Sequence, residues 1–498
     1  MRWEFEPRIS QNSRMGSQNR NAALIWAFWS SLARHDSLLS ASCKAAQLLE
    51  MSETVDSSRL AISPPVGATT VSPMRDGRVV SLDQFRGYTI LGMILVNFLG
   101  GFAVIPSVFK HNNNYFSYAD SIMPSFHFAV GYAYRLTLLK RLGQTGPRAA
   151  YLSYVRRSLI LIFLALALFG VGDGFPKWSQ FSTLPAGWPG NSSTSFATTF
   201  FAQWRVYLAH LLKADMWNTF AIIGATQLVI LPFVAARARV RLLALSGFAL
   251  GHALLCYWFN WGFVRGDNTN WMAQLWMTGN DSSWDGGFFG PLCWAVPMLA
   301  GTLAYDVTQQ SDRTSQAIRR LLAWGFGAML LGYLISCPTR LFDVDRGTVP
   351  SARNPGEAQD PFFSSPAARA NRPLSSMLAE PPFVAPPDSS RRLENYWMMS
   401  KRLPTLSFIL FATGFACALY GVFVAACDAG SWQLGLFRTF GTNPLAAYCL
   451  HEVIQESLGR LVPGDAPLWY CAIGLAAFFW ATYVCVRGLE KARIFIRL

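Results

Sequence analysis

From Tyr88 to Ile105 the chain carries no charged residue, and one carboxamide, Asn97, sits among isoleucine, leucine, methionine, valine and phenylalanine. A helix rising about 1.5 Å per residue over this length nearly covers the ~30 Å hydrocarbon core of a bilayer. In lipid the backbone must satisfy its own hydrogen bonds, so the stretch is predicted to cross a membrane as a helix. Comparable apolar blocks recur near 86–105, 120–139, 156–173, 217–235, 240–262, 288–307, 320–337, 404–427, 440–459 and 466–486. The chain therefore reads as an all-α, polytopic membrane protein with about ten transmembrane helices.

Composition agrees. Of 498 residues, 52% are hydrophobic and only 14% charged, with a mean hydropathy of +0.25, which is too apolar for a soluble enzyme of this length. The net charge of +14 would suggest nucleic acid in a soluble protein. Here the short loops at 140–157, 237–241, 313–320 and 487–497 are rich in arginine and lysine and all fall on one side of the predicted bundle. That side is predicted to be cytoplasmic, and nucleic acid is excluded as a partner. The opposite face then receives the loops 106–119, 174–216, 263–287 and 338–403. The last contains ten prolines and reads as an extended, poorly ordered insertion. Residues 1–80 read as a disordered cytoplasmic tail, leaving 81–498 as the transmembrane domain. The cysteines show no C-x-x-C pair and mostly lie inside apolar blocks, so neither a disulfide framework nor a metal site is indicated.

Few polar residues are placed where they demand an explanation. His111 lies just past the first apolar block. A near-neutral imidazole can take a proton from an amine or hydroxyl, or carry an acyl group as a nucleophile, and a solvated loop histidine is the plainer alternative. Asn97 needs a partner in lipid: either a neighbouring helix, or a ligand such as a thioester carbonyl whose developing oxyanion its amide would stabilise. Asp120 precedes an apolar run and reads as a helix cap. Asp83 and Arg86 precede the first span and read as interfacial residues, with Arg86 also able to meet a phosphate. His127 reads as a packed, hydrogen-bonded histidine. Late in the chain, Tyr448, His451 and Gln455 are spaced to share one helix face, with Asn443 before them and Glu452 about 100° away. No HExxH, GxSxG, P-loop or GxGxxG context accompanies them.

The run SLDQFRGYTILGMILVNFLGG, then FKH, then ADSIMPSFHFAVG resembles the catalytic membrane region of the heparan-α-glucosaminide N-acetyltransferase family. Its pattern there is an S-x-D-x-F-R-G entry, a V-N in the first helix, a K-H in the next loop and an A-D-x-x-x-P-x-F start to the second helix. The later blocks WNTFAIIGATQLVI, GGFFGPLCWAVPMLAGTLAYD, KRLPTLSFILFATG and GTNPLAAYCLHE are similar in order and spacing. The resemblance implies an acetyl-CoA-dependent N-acetyltransferase of the bacterial inner membrane, with no metal. It would pass an acetyl group from cytosolic acetyl-CoA to an amino sugar or glycan on the far side. By resemblance the family's active-site asparagine and histidine fall on Asn97 and His111; Arg86, Asn443 and His451 are the residues expected along the path of the CoA. A second copy of the chain is a candidate partner. Three departures stand out: a longer loop between Asn97 and His111, no lumenal domain ahead of the catalytic region, and the Pro-rich insertion. A transporter or flippase for a glycolipid, using the same polar residues without covalent chemistry, is the alternative reading.

Overall fold

The computed structural model describes residues 79–169, 175, 177–185, 188, 195–344, 356–364, 377–388 and 391–496. The expected tail over 1–80 lies, but for its last two residues, outside them. Twelve principal helices carry the fold: α1 (Val80–Leu99), α2 (Tyr118–Thr145), α3 (Pro147–Phe169), α4 (Phe196–His210), α5 (Thr219–Val234), α6 (Ala238–Leu255), α7 (Gly290–Gln310), α8 (Thr314–Ser336), α9 (Leu406–Phe423), α10 (Gly435–Thr442), α11 (Pro444–Gly459) and α12 (Leu468–Lys491). Among the described residues there is no strand; two isolated bridges, Asp343 to Arg392 and Glu357 to Glu394, are the extended pairings.

Among the described residues, six helices are long and apolar enough to cross a membrane, or seven if α4 and α5, bent by 94° at their junction, form one broken span. The expected count of about ten is not reached by this measure, for local reasons. The first helix begins at Val80, so Asp83 and Arg86 lie inside its opening turns rather than ahead of it, and dilute its apolar run. α2 holds Asp120, Arg135, Lys140 and Arg141, and α11 is short, at 16 residues. The 174–216 region is not a plain loop: α4 starts at Ser195, whose hydroxyl accepts from Thr198 N, and runs on into a π-helical turn, Leu211–Asp215.

Helices meet through small residues, as bilayer-embedded packing favours. A Cβ on Gly131 of α2 would lie 1.8 Å from Met298 O of α7, and one on Gly301 of α7 would lie 2.0 Å from Phe128 O of α2. The two backbones thus touch at two successive levels. Around this contact Phe85, Phe128, Tyr132 and Tyr420 pack as one aromatic cluster.

One end of the bundle gathers the loop after α1, where Ala103 N donates to Gly464 O at 2.7 Å, together with the segments before α7 and α9. The described parts of 338–403 pack here, contrary to the expectation of a poorly ordered insertion. Arg392 is buried and pairs with Asp343 and Glu380, Tyr333 of α8 donates to Ala379 O at 2.7 Å, and Phe383 N donates to Phe116 O at 2.8 Å. Ion pairs and apolar contacts hold a proline-rich chain that no ladder could hold. At the opposite end α1 meets α10, and Asn443 fastens the C-terminal segment: its Nδ2 donates to Ile494 O at 3.0 Å and its Oδ1 accepts from Ile496 N at 3.1 Å.

Candidate functional site

The loop between α1 and α2 turns His111 back onto the first turn of α2. Ser117 is the N-cap, accepting from Asp120 N at 3.2 Å, so Asp120 is not the cap its position suggested but a first-turn acid with its carboxylate released for other work. Asp120 is fully buried. Its Oδ2 accepts from Asn112 N at 3.1 Å and from Ser117 Oγ at 2.7 Å, and its Oδ1 lies 2.9 Å from His111 Nδ1. A carboxylate accepts, so the tautomer assigned to match this shorter contact has the proton on Nδ1 and the lone pair on Nε2. The His111 side chain is 37% exposed, which leaves that nitrogen accessible.

Two residues from distant segments complete the group. Lys401, buried just before α9, brings its Nζ to 3.4 Å from His111 Nδ1 and 3.9 Å from Asp285 Oδ1. Asp285 sits in a left-handed run with Gly286 and Gly287, at φ values of 55°, 84° and 56°, which turns the chain sharply into α7. Its Oδ1 is covered and takes no hydrogen bond. Burial pushes the Asp285 carboxyl above its ordinary range, with Lys401 and His111 pulling the other way.

Asn97 faces a different neighbour. Its Nδ2 donates to His451 Nε2 of α11 at 3.2 Å, while Gln455 Nε2 donates to the Asn97 backbone carbonyl at 3.2 Å. His451 Nδ1 donates to Tyr448 O, which fixes the tautomer that accepts from Asn97. The face predicted from the spacing of Tyr448, His451 and Gln455 is thus the one that meets α1. No hydrogen bond joins Asn97 to His111 among the described residues. Arg86 lies near the other end of α1, 3.8 Å from Asp83 across one turn, and Asn443 lies at that end too. His127 donates from Nδ1 to Met123 O at 3.0 Å and stacks on Trp294 at 4.9 Å, the packed role its position suggested.

The structure therefore brings His111 together with Asp120, Asp285 and Lys401, and Asn97 with His451, and leaves Arg86 and Asn443 at the far end. Sequence reasoning missed Lys401 and Asp285. Lys401 stands beside Arg402 just ahead of a span, a pair that reads as interfacial anchoring and gives no hint of a partner at His111. Asp285, in a D-G-G run, is indistinguishable from an ordinary turn residue. No protein-family model matches this chain, and no curated protein matches it.

Proposed function

We propose that this protein is a membrane-bound acyltransferase that moves an acetyl group from cytosolic acetyl-CoA to the amine of a sugar or glycan on the extracytoplasmic side. The observation that supports it most is the 2.9 Å contact between His111 Nδ1 and buried Asp120, which leaves Nε2 as a positioned base. In this reading Nε2 takes the proton from the amine as the new N–C bond forms, the thioester C–S bond breaks to release CoA as the thiolate, and Nε2 returns the proton to give the free thiol. Asp120, 2.9 Å from Nδ1, stabilises the imidazolium so formed. The same nitrogen can serve as a transient acyl carrier. Asn97, held by His451 through one N–H, keeps its second N–H for the thioester oxygen, with Arg86 near the cytoplasmic mouth of the passage; Asn443, both of its amide atoms engaged by the C-terminal segment, is a structural tie. About ten helices cross the bacterial inner membrane, the arginine-rich loops face the cytoplasm, and His111 lies outside.

The 94° break between α4 and α5 favours the second reading, a transporter or flippase, because discontinuous spans often build cargo sites. Purified protein given acetyl-CoA and glucosamine decides between them. The acyltransferase releases free thiol in step with N-acetylglucosamine; a protein that yields neither, while moving glycolipid across vesicles, is the transporter.

A further inference from the structure

A second site lies outside the His111 group. Where α6 continues through a π-helical turn, Cys256–Asn260, into a short helix, Trp261–Arg265, a cavity of about 860 Å3 opens against residues 357–362 of the insertion. That volume suits a small ligand of several rings. One wall is aromatic: Tyr257, 59% exposed, stands edge-on to Phe362 at 5.3 Å, and Trp261 lies 6.2 Å from Phe362. The polar wall divides in two. Glu357 is taken, accepting from Trp261 Nε1 at 2.7 Å and pairing with Arg265 at 2.9 Å. Asp267 and Asp360 make no ion pair among the described residues; each uses Oδ1 to accept from nearby backbone N–H groups, which leaves Oδ2 for a ligand.

We infer that this cavity binds an oligosaccharide free of anionic groups. Sugar rings offer apolar C–H faces to aromatic side chains and hydroxyl or amine donors to carboxylates, and this cavity provides both partners. Three carboxylates against one arginine repel sulfate or uronate groups and favour amine-bearing sugars. The segment that carries Lys401 also holds the cavity's lip: Trp397 Nε1 donates to Phe362 O at 3.0 Å and Tyr396 stacks on Phe362 at 4.5 Å. None of His111, Asp120, Asp285 and Lys401 lines the cavity, so binding does not depend on acyl transfer.

Thermophoresis of the full chain in nanodiscs tests this with three probes: a glucosamine tetramer, its fully N-acetylated counterpart, and a sulfated tetrasaccharide. The first two bind and the third does not. Tyr257→Ala weakens both by about tenfold, and Asp267→Asn with Asp360→Asn weakens the amine-bearing tetramer by about tenfold while sparing the acetylated one. His111→Ala binds as the parent protein does. Failure to bind either unsulfated tetramer, equal binding of the sulfated one, or unchanged affinity in both variants overturns the assignment; in the last case Tyr257 is an interfacial anchor. Absence of thiol release from acetyl-CoA with this binding pattern intact would instead remove only the acyltransferase reading.

Discussion

Buried charge gathers at both ends of α2, and the two groups are built to opposite specifications. At the Arg135 end, Asp306 of α7 is held by two guanidiniums: Arg135 Nε donates to its Oδ1 at 2.6 Å and Arg241 Nη2 to its Oδ2. Arg241 also donates to Ala236 O at 3.1 Å and to Thr302 Oγ1 at 3.0 Å, and Arg135 to Val234 O. Both carboxylate oxygens are occupied, and the group ties α2, α7 and the turn between α5 and α6 into a clamp. At the Asp120 end the same chemistry is left incomplete. Asp285 Oδ1 has a lysine at 3.9 Å and no hydrogen bond, and His111 is partly open to solvent. A saturated cluster holds structure; an unsaturated one has capacity to take a proton or a ligand.

Substitutions that affect activity and stability separately can break this contrast. The largest effect is expected from His111→Ala: turnover falls by about 10²–10⁴-fold while the melting temperature and acetyl-CoA binding stay near the parent values. A variant with normal turnover removes His111 from the mechanism. Asp306→Asn should do the reverse, since it strands two buried guanidiniums; a loss of about 3–5 kcal/mol in unfolding free energy is expected, with activity falling only as folded protein is lost. A stable Asp306→Asn protein would mean the clamp carries no load.

Asn97→Leu comes next. Removing the donor to His451 costs about 1 kcal/mol of stability, the usual worth of one hydrogen bond between membrane helices. Turnover should fall by roughly 10²–10³-fold if the second N–H meets the thioester oxygen. Full activity in a folded Asn97→Leu protein leaves Asn97 as an interhelical tie alone. The smallest effect has the opposite sign to Asp306→Asn. Burial raises the Asp285 carboxyl, so the folded state holds that proton longer than the unfolded chain and loses stability as pH rises above the ordinary carboxyl range. Asp285→Asn removes that loss. Its melting temperature should exceed the parent's by a few degrees at pH 7, and the gain should vanish below about pH 4. A destabilised Asp285→Asn protein at neutral pH would place Asp285 with the clamp residues.

Much of the fold was legible because lipid-length apolar blocks leave the backbone little choice, and the His451 face because helical spacing is local. The α4 segment was obscured by the Ser- and Gly-containing chain before it, although Ser195 followed by FATTFFAQW is a capped helix start. The His111 group resisted for a different reason. Its dyad spans nine positions, but Lys401 reaches His111 across 290, and no local pattern reports such a pairing. The packing of the described parts of 338–403 was hidden likewise, since Arg392, Asp343 and Glu380 look like solvated charges until the fold brings them together.

The glycine joint between α2 and α7 bears on how such a protein can move. Where Gly131 and Gly301 set backbone against backbone, no side chains lie between the helices, so no rotamers can rearrange to absorb a shift. With the Arg135, Arg241 and Asp306 clamp fastening the same two helices little more than one turn beyond the glycine contact, the pair is pinned twice along its length. It acts as a keel: in the proposed acyl transfer, any opening toward donor or acceptor has to come from the helices packed around this pair.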